Sequence, residues 1–327
     1  MTKRILLIFC ALFLTCPLRA QTPKTSTDYI KRGQEREKKH DLNGAIADFT
    51  RAIQIDPKNP AAYYNRGYVR NTKGNQGGAI NDYTRAIELN PKDGDAYFNR
   101  ATAKEAKGDF DGAIDDLTKV IELNSKDRDA YNARGLVLLN QKKNLDAARA
   151  DFDKAVELDP KSADGYINRG AVKFEKKEVP EALADDSKAI ELDPKNKLAY
   201  ANRAYHRRKA GNLGGSVVDW HRTIEIDSKY ARGFNGLAWL YATATQDAYR
   251  DGAKALRYAH QAVALTRRKE PNYMDTLAAA YAAAGNFTAA ARWQRKALAF
   301  PAFVKSEGEA VRARLQLYAQ HKTYAEQ

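Results

Sequence analysis

Cysteine is nearly missing from this chain of 327 residues: there are two, Cys10 and Cys16, and none follows. Everything beyond residue 16 can therefore form neither a disulfide nor a thiolate metal site. Long apolar runs are just as scarce. The one candidate, residues 5–16, has about twelve apolar residues where a bilayer span needs roughly 17–25. Histidine is sparse and scattered, and His40, His206, His221, His260 and His321 form no spaced pair of the kind that ligates a metal. No glycine-rich phosphate loop and no nucleophile elbow is present. Carboxylates are plentiful, but they recur at repeated positions, which argues structure rather than acid–base chemistry. These gaps point away from an enzyme, and no cofactor or metal is expected.

What the first residues do contain is a pattern of export. Lys3 and Arg4 precede the apolar run, and Pro17-Leu18-Arg19-Ala20 closes it, which is the layout of a secretory signal peptide over residues 1–20 with cleavage after Ala20. An uncleaved anchor and lipidation at Cys16 are lesser alternatives; Thr15 stands where a lipoprotein signal wants a smaller residue. Residues 21–27 are polar and contain a proline, the composition of a disordered lead. The mature chain is expected to hold no transmembrane segment and to be periplasmic or secreted. Its charge is uneven: residues 21–230 carry 38 basic and 34 acidic side chains, residues 231–327 carry 14 and 7. The basic last third, densest at Arg267-Arg268-Lys269, could meet a polyanion, although a solvated helix end also explains such a run.

The rest is periodic. An aromatic residue recurs at Tyr29, Tyr63, Tyr97, Tyr131, Tyr166, Tyr200 and Phe234, at spacings of 34, 34, 34, 35, 34 and 34 residues. A fixed period of this length means stacked helical units sharing one elongated core. Each unit repeats one grammar. A first helix carries apolar or small residues at i and i+4, as at Tyr63 and Gly67. A turn such as Gly74-Asn75, Gly108-Asp109 or Gly211-Asn212 follows, where glycine supplies the left-handed geometry other residues resist. The second helix places Ala79, Tyr83 and Ala86 on one face, and Pro57, Pro91, Pro160 or Pro194 ends it. Six regular units fill residues 26–230, and two more fill 231–300, the first with its turn lengthened over 243–252. Residues 301–327 read as a capping helix and tail, with Val304, Gly308, Val311, Leu315 and Tyr318 on one side and charges opposite.

The tyrosine, the small residue four positions on, the Ala-x3-aromatic-x2-Ala of the second helix and the closing proline together resemble the tetratricopeptide repeat. The resemblance covers about 270 residues. It implies an all-α fold: a right-handed superhelical solenoid of about eight helix-turn-helix repeats, with a concave groove lined mainly by the first helices.

Two series of polar residues stand out against that frame. Arg32, Arg66, Arg100, Arg134, Arg169 and Arg203 each precede the small residue of a first helix, and Asp48, Asp82, Asp116, Asp151, Asp185 and Asp219 share one site in the second helices. Both flank the apolar stripe, so bidentate pairs at the edge of the core are expected to brace the stack. The second series is Asn65, Asn99, Asn168 and Asn202. The resemblance implies that this position faces the groove, where an amide offers both donor and acceptor to a ligand's backbone; asparagine can equally be a neutral occupant of the site. Three residues later stand Tyr68, Thr102, Ala171 and Tyr205, with Trp239 at the corresponding place in the seventh unit, and aromatics there suit an apolar or proline-rich segment. The family's Lys-Asn-Arg clamp for a terminal carboxylate is not reproduced, since Ile30, Tyr64, Phe98, Asn132, Thr27, Ala61 and Asp95 fill its cationic positions. One irregularity is local: Asp186 replaces the aromatic of the second helix in the fifth repeat, making that repeat a softer point unless Lys or Arg from a neighbour meets it.

The expected function is that of a non-catalytic scaffold or adaptor in the cell envelope that binds a protein or extended peptide segment. The alternative is a binder of an anionic envelope polymer through the basic last third; nucleic acid is not expected.

Overall fold

The computed structural model describes residues 24–326. The expected signal peptide, with Cys10, Cys16 and the cleavage point at Ala20, lies outside the described residues. The chain divides into two compact units, residues 1–112 and 113–327. Among the described residues there are seventeen α-helices, one short 3-10 helix and no strand.

The first unit contains α1 (Ser26–Lys38), α2 (Leu42–Ile55), α3 (Pro60–Thr72), α4 (Gln76–Leu89) and α5 (Gly94–Ala106). Helix α6 (Phe110–Leu123) runs through the division, and the second unit continues with α7 (Arg128–Asn140), α8 (Leu145–Leu158), α9 (Ala163–Glu175), α10 (Val179–Leu192), α11 (Lys197–Lys209) and α12 (Leu213–Ile226). Then come α13 (Ala231–Thr243), the 3-10 turn Asp247–Tyr249, α14 (Gly252–Leu265), α15 (Pro271–Ala283), α16 (Phe287–Ala297) and α17 (Pro301–Ala319). Within each unit a helix packs on the next to make a hairpin, and each hairpin packs on the following one.

Helix starts and stops follow local chemistry. Gly74 takes φ +79° and Asn75 then caps α4, its side chain accepting from the Gly78 N–H at 3.0 Å. The Gly-Asn dipeptide thus closes one helix and opens the next. At the front, Thr25 and Asp28 form a reciprocal capping box and α1 begins at Ser26, so helix reaches into the last two residues of the expected lead, because that box satisfies the first N–H groups. The lengthened turn is closed by Arg250, whose Nε and Nη2 both donate to the Ala244 carbonyl at 3.0 and 2.8 Å.

The fifth repeat lacks the glycine. Lys177 adopts φ +65° in its place, and Glu178 makes no side-chain cap on α10. A β-carbon in that conformation costs on the order of 1 kcal/mol. Lys177→Gly is therefore expected to raise the unfolding free energy by up to about 1 kcal/mol in a denaturant titration; a loss of stability would show that the lysine side chain contributes more than its backbone strain removes.

The core is a file of small clusters. In the first unit Phe49 fills a pocket with Ile30, Ala45, Ala52, Ala62 and Val69, and Tyr83 sits with Ala79 and Ala103. In the second, Phe152 packs with Leu139, Ala148 and Val172, and a larger core runs from Ala201 through Trp220, Leu237 and Leu277 to Tyr318. The aromatic of a second helix is received by a glycine. A β-carbon at Gly33 would lie 2.6 Å from Phe49, at Gly67 3.0 Å from Tyr83 and at Gly135 2.7 Å from Phe152.

The capping helix departs from the expected one-sided pattern in one respect. Val311 and Tyr318 are buried as the stripe requires, while Val304 and Leu315 are only half-buried, and Arg314, read among the outward charges, is buried with them. It donates through Nε and Nη2 to both oxygens of Asp275 on α15, at 3.0 and 2.8 Å. A buried carboxylate opposite draws the guanidinium inward, since neither charge could be desolvated alone.

Candidate binding face

The arginine–aspartate series is built as bidentate pairs. Arg66 meets both oxygens of Asp82 at 3.0 and 2.7 Å, Arg134 those of Asp151 at 2.9 and 2.7 Å, and Arg203 those of Asp219 at 2.9 and 2.8 Å. Arg32 with Asp48 and Arg169 with Asp185 repeat the geometry. The third nitrogen reaches into the preceding repeat, as Arg134 does to Thr118 Oγ1 at 2.9 Å and Arg66 to Thr50 Oγ1 at 3.2 Å. In the first unit Arg100 donates to Thr84 at 3.0 Å; in the second Asp116 is buried on α6. Each guanidinium also lies over the tyrosine three residues before it, at 5.8 Å for Arg66 and Tyr63, 5.5 Å for Arg100 and Tyr97, and 5.9 Å for Arg134 and Tyr131.

A second cation four residues later was not singled out from the sequence. Arg36, Arg70, Lys173 and Arg207 reach the same carboxylates as the first arginine, at 3.0, 2.8, 2.7 and 2.8 Å. The i, i+4 spacing was the available signal, because it puts both cations on one helix face. The arginines thus make hydrogen bonds both inside and between repeats, the geometry a bracing role requires. Asp151→Asn is expected to lower stability by about 1–3 kcal/mol in chemical denaturation, between an exposed and a fully buried pair; an unchanged midpoint would refute the bracing role.

Asp186 is wholly buried, and its partner is neither lysine nor arginine but His206 of the next repeat, with Nδ1 at 2.7 Å. The imidazole stacks on Phe174 at 4.1 Å, so the Asp–His pair takes over the space and the contacts of the missing aromatic. Burial pushes the Asp186 carboxyl up from 3.8, against the pull of His206. A carboxyl raised in the folded state contributes its stability below the unfolded value and loses it as pH rises through the folded one. Wild type is accordingly expected to lose stability relative to Asp186→Asn as pH climbs from below 3.8 toward neutrality, measured as a gap in melting temperature. A gap that stays flat or moves toward wild type would contradict this.

The asparagine series lies on the first helices, and its members are already engaged. Asn65 and Asn99 donate to the carbonyls one turn back, Ala61 and Asp95, at 2.7 and 2.9 Å. They also touch the repeat before: Gln34 donates to Asn65 at 3.3 Å, and Asn99 donates to the Tyr64 hydroxyl at 3.1 Å. In the second unit Asn168 donates to Asn132 at 2.9 Å, and Asn202 accepts from Arg232 at 3.0 Å. Tyr68 is exposed. Tyr205 stands edge-on to Phe174 and borders a cavity of about 610 Å³ that Arg232, Trp239, Tyr273 and Thr276 also line. The first helices of three consecutive repeats, α11, α13 and α15, supply most of its wall, and Glu307 and Arg314 of α17 with Glu326 complete it.

Trp239 is placed on that face but is not open, as the sequence reading had it. Its indole N–H donates to the Glu326 carboxylate at 2.7 Å, and Tyr324 packs on its ring at 6.0 Å. Nothing in the repeat pattern announced this contact, since residues 322–326 belong to no repeat. No helix among the described residues is long and apolar enough to cross a membrane.

Tetratricopeptide-repeat family models match residues 33–74, the overlapping stretches 74–123, 98–163 and 143–197, and residues 272–300. No curated protein matches the sequence. A tetratricopeptide repeat protein from Parabacteroides merdae is similar in structure at 19% identity, over 90% of this chain and 98% of that one, with a TM-score of 0.58. The C-terminal part of a TPR repeat-containing protein from Cytophaga hutchinsonii is similar at 18% identity, over 76% and 99%, also with a TM-score of 0.58. The likeness to these two is one of fold. The chain is an α-solenoid of tetratricopeptide repeats.

Proposed function

We propose that this chain is a non-catalytic scaffold, exported to the cell envelope, that binds a protein through an extended segment laid along the first helices. One observation carries the reading: the cavity of about 610 Å³ lined mainly by α11, α13 and α15, with the aromatic residues Tyr205 and Tyr273 and the polar residues Arg232 and Thr276 in its wall. An extended peptide presents side chains and unpaired backbone groups at once, and a wall of aromatics and polar groups answers both. Export rests on the basic, apolar and small-residue sequence of residues 1–20.

Capture of envelope proteins on immobilised wild type and on Arg232→Ala plus Tyr273→Ala, both of which line the cavity, tests the binding. Loss of a captured protein in the double variant is expected, and equal capture would count against the cavity. Peptide binding of this kind should change little between low and physiological salt. A steep fall would favour the anionic polymer and the basic last third instead. For export, mass spectrometry of the native protein should find a chain beginning at Gln21; the intact leader on cytoplasmic protein would overturn it.

A further inference from the structure

The arginines of the first helices and the aspartates of the second recur from repeat to repeat. Arg208 and Lys209 break that rule. At the position of Arg208 the earlier repeats carry Glu37, Asn71, Glu105, Leu139 and Phe174, and at that of Lys209 they carry Lys38, Thr72, Ala106, Asn140 and Glu175. Only the sixth repeat places two adjacent cations there. The Arg208 side chain is 12% exposed, and burial pulls its guanidinium below its ordinary range. Among the described residues, Glu326 is the carboxylate that reaches either cation: it accepts from Arg208, from Lys209 at 2.6 Å and from the indole of Trp239 at 2.7 Å.

That carboxylate arrives on residues 322–326, which are neither helix nor strand, follow the end of α17 and lie against α11 and α13. Its backbone is read as well, since the Glu326 N–H donates to the Thr243 carbonyl at 2.9 Å. Two residues earlier, Tyr324 packs on Trp239 and receives the Arg314 guanidinium over its ring at 5.4 Å. Cavities continue on either side of the seated glutamate, one bordered by Arg208, Leu213 and Thr245, the other by Tyr205, Trp239 and Tyr273. A carboxylate socket, an aromatic seat and a backbone hydrogen bond are the parts of a peptide-recognition site.

We infer that Arg208, Lys209, Trp239 and the Thr243 carbonyl form a binding site for an extended peptide carrying an aromatic residue two positions before an acidic one, and that residues 322–326 occupy it in cis until such a partner displaces them. The inference rests on the peptide-binding reading above and names the chemistry of the ligand. Arg232 and Tyr273 are not among the groups that hold the seated glutamate, so the two can fail separately. The cis segment acts as a competitor at high effective concentration, because only two residues, Gln320 and His321, separate it from α17, and it lowers the apparent affinity of any partner by the fraction of sites it covers.

The test uses the full chain and a fluorescent, amidated hexapeptide of sequence His-Lys-Thr-Tyr-Ala-Glu, titrated by anisotropy. Wild type is expected to bind weakly. Tyr324→Ala with Glu326→Ala, which vacates the site, should bind at least about tenfold more tightly, and adding Arg208→Ala should abolish the gain. The same peptide ending in Gln should not bind. Glu326→Gln alone, which keeps the packing, guards against a variant that fails to fold and should show a smaller gain. If neither opened variant binds the hexapeptide better than wild type, residues 322–326 are a structural latch and the inference is overturned. Partner capture through Arg232 and Tyr273 would stand in that case, and loss of both results would remove both readings.

Discussion

Asp275→Leu is expected to destabilise the second unit by about 3–5 kcal/mol, the cost of removing one member of a buried ion pair. Asp275 and Arg314 are 6% and 8% exposed, and the aspartate also accepts from Gln294 Nε2 at 2.6 Å. Leucine fills much of the volume but leaves the Arg314 guanidinium with no carboxylate in a dry setting, while Gln294 keeps only its bond to the Val311 carbonyl at 3.1 Å. The pair joins α15 to α17, so the loss falls on the contact by which the last helix covers the stack.

Arg314→Met should cost less. A buried carboxyl left alone can take up a proton, whereas a guanidinium cannot release one. Burial already pushes the Asp275 carboxyl up. Because a raised folded-state value means stability is lost as pH rises through it, the cost of Arg314→Met should grow from acid toward neutral pH. Denaturation of both variants at two pH values decides the matter: an arginine variant as damaged as the aspartate variant at the lower pH would defeat the neutralisation argument.

The second large effect is a change of sign. Phe152→Ala should cost about 3–5 kcal/mol, since the ring is fully buried and its neighbours cannot collapse into the space. Gly135→Ala in wild type should also destabilise, by about 1–3 kcal/mol, because the new methyl would stand 2.7 Å from Phe152 Cε1. In the Phe152→Ala background the same methyl enters the cavity and improves helix propensity by up to about 1 kcal/mol. Gly135→Ala is therefore expected to stabilise the Phe152→Ala protein, and additive losses would show that ring and glycine are not a matched pair.

The match extends along the chain and was half legible in the sequence. The recurrence of Gly33, Gly67 and Gly135, each followed after 16, 16 and 17 residues by Phe49, Tyr83 and Phe152, marks them as core, because residues a whole number of periods apart occupy equivalent places in a stack. The sequence does not say which glycine faces which ring. Trp220 makes the point: it fills the same register as the other aromatics, but the glycine whose β-carbon would strike it, at 2.3 Å, is Gly236 of the following repeat. The larger indole reaches past its own hairpin.

The irregular positions were the least legible. Asp186 read as a loss of apolar burial, and its compensation by His206 lies twenty residues away in the next repeat, with no periodic signal joining the two. Arg314 read as an outward charge because a helix stripe predicts only which face is buried, not that a carboxylate opposite will hold a cation there. Trp239 read as open because residues 322–326 have no period to place them.

The sequence alone determined the helix pairs, their turns, the paired arginines and aspartates, and the family, because each is a local pattern or one repeated at a fixed interval. Tertiary structure alone decided the partners of Asp186, Arg314 and Trp239. Those contacts join positions from 20 to 87 residues apart, where the choice of partner depends on how much charge and ring surface can be desolvated together, and no periodicity encodes that.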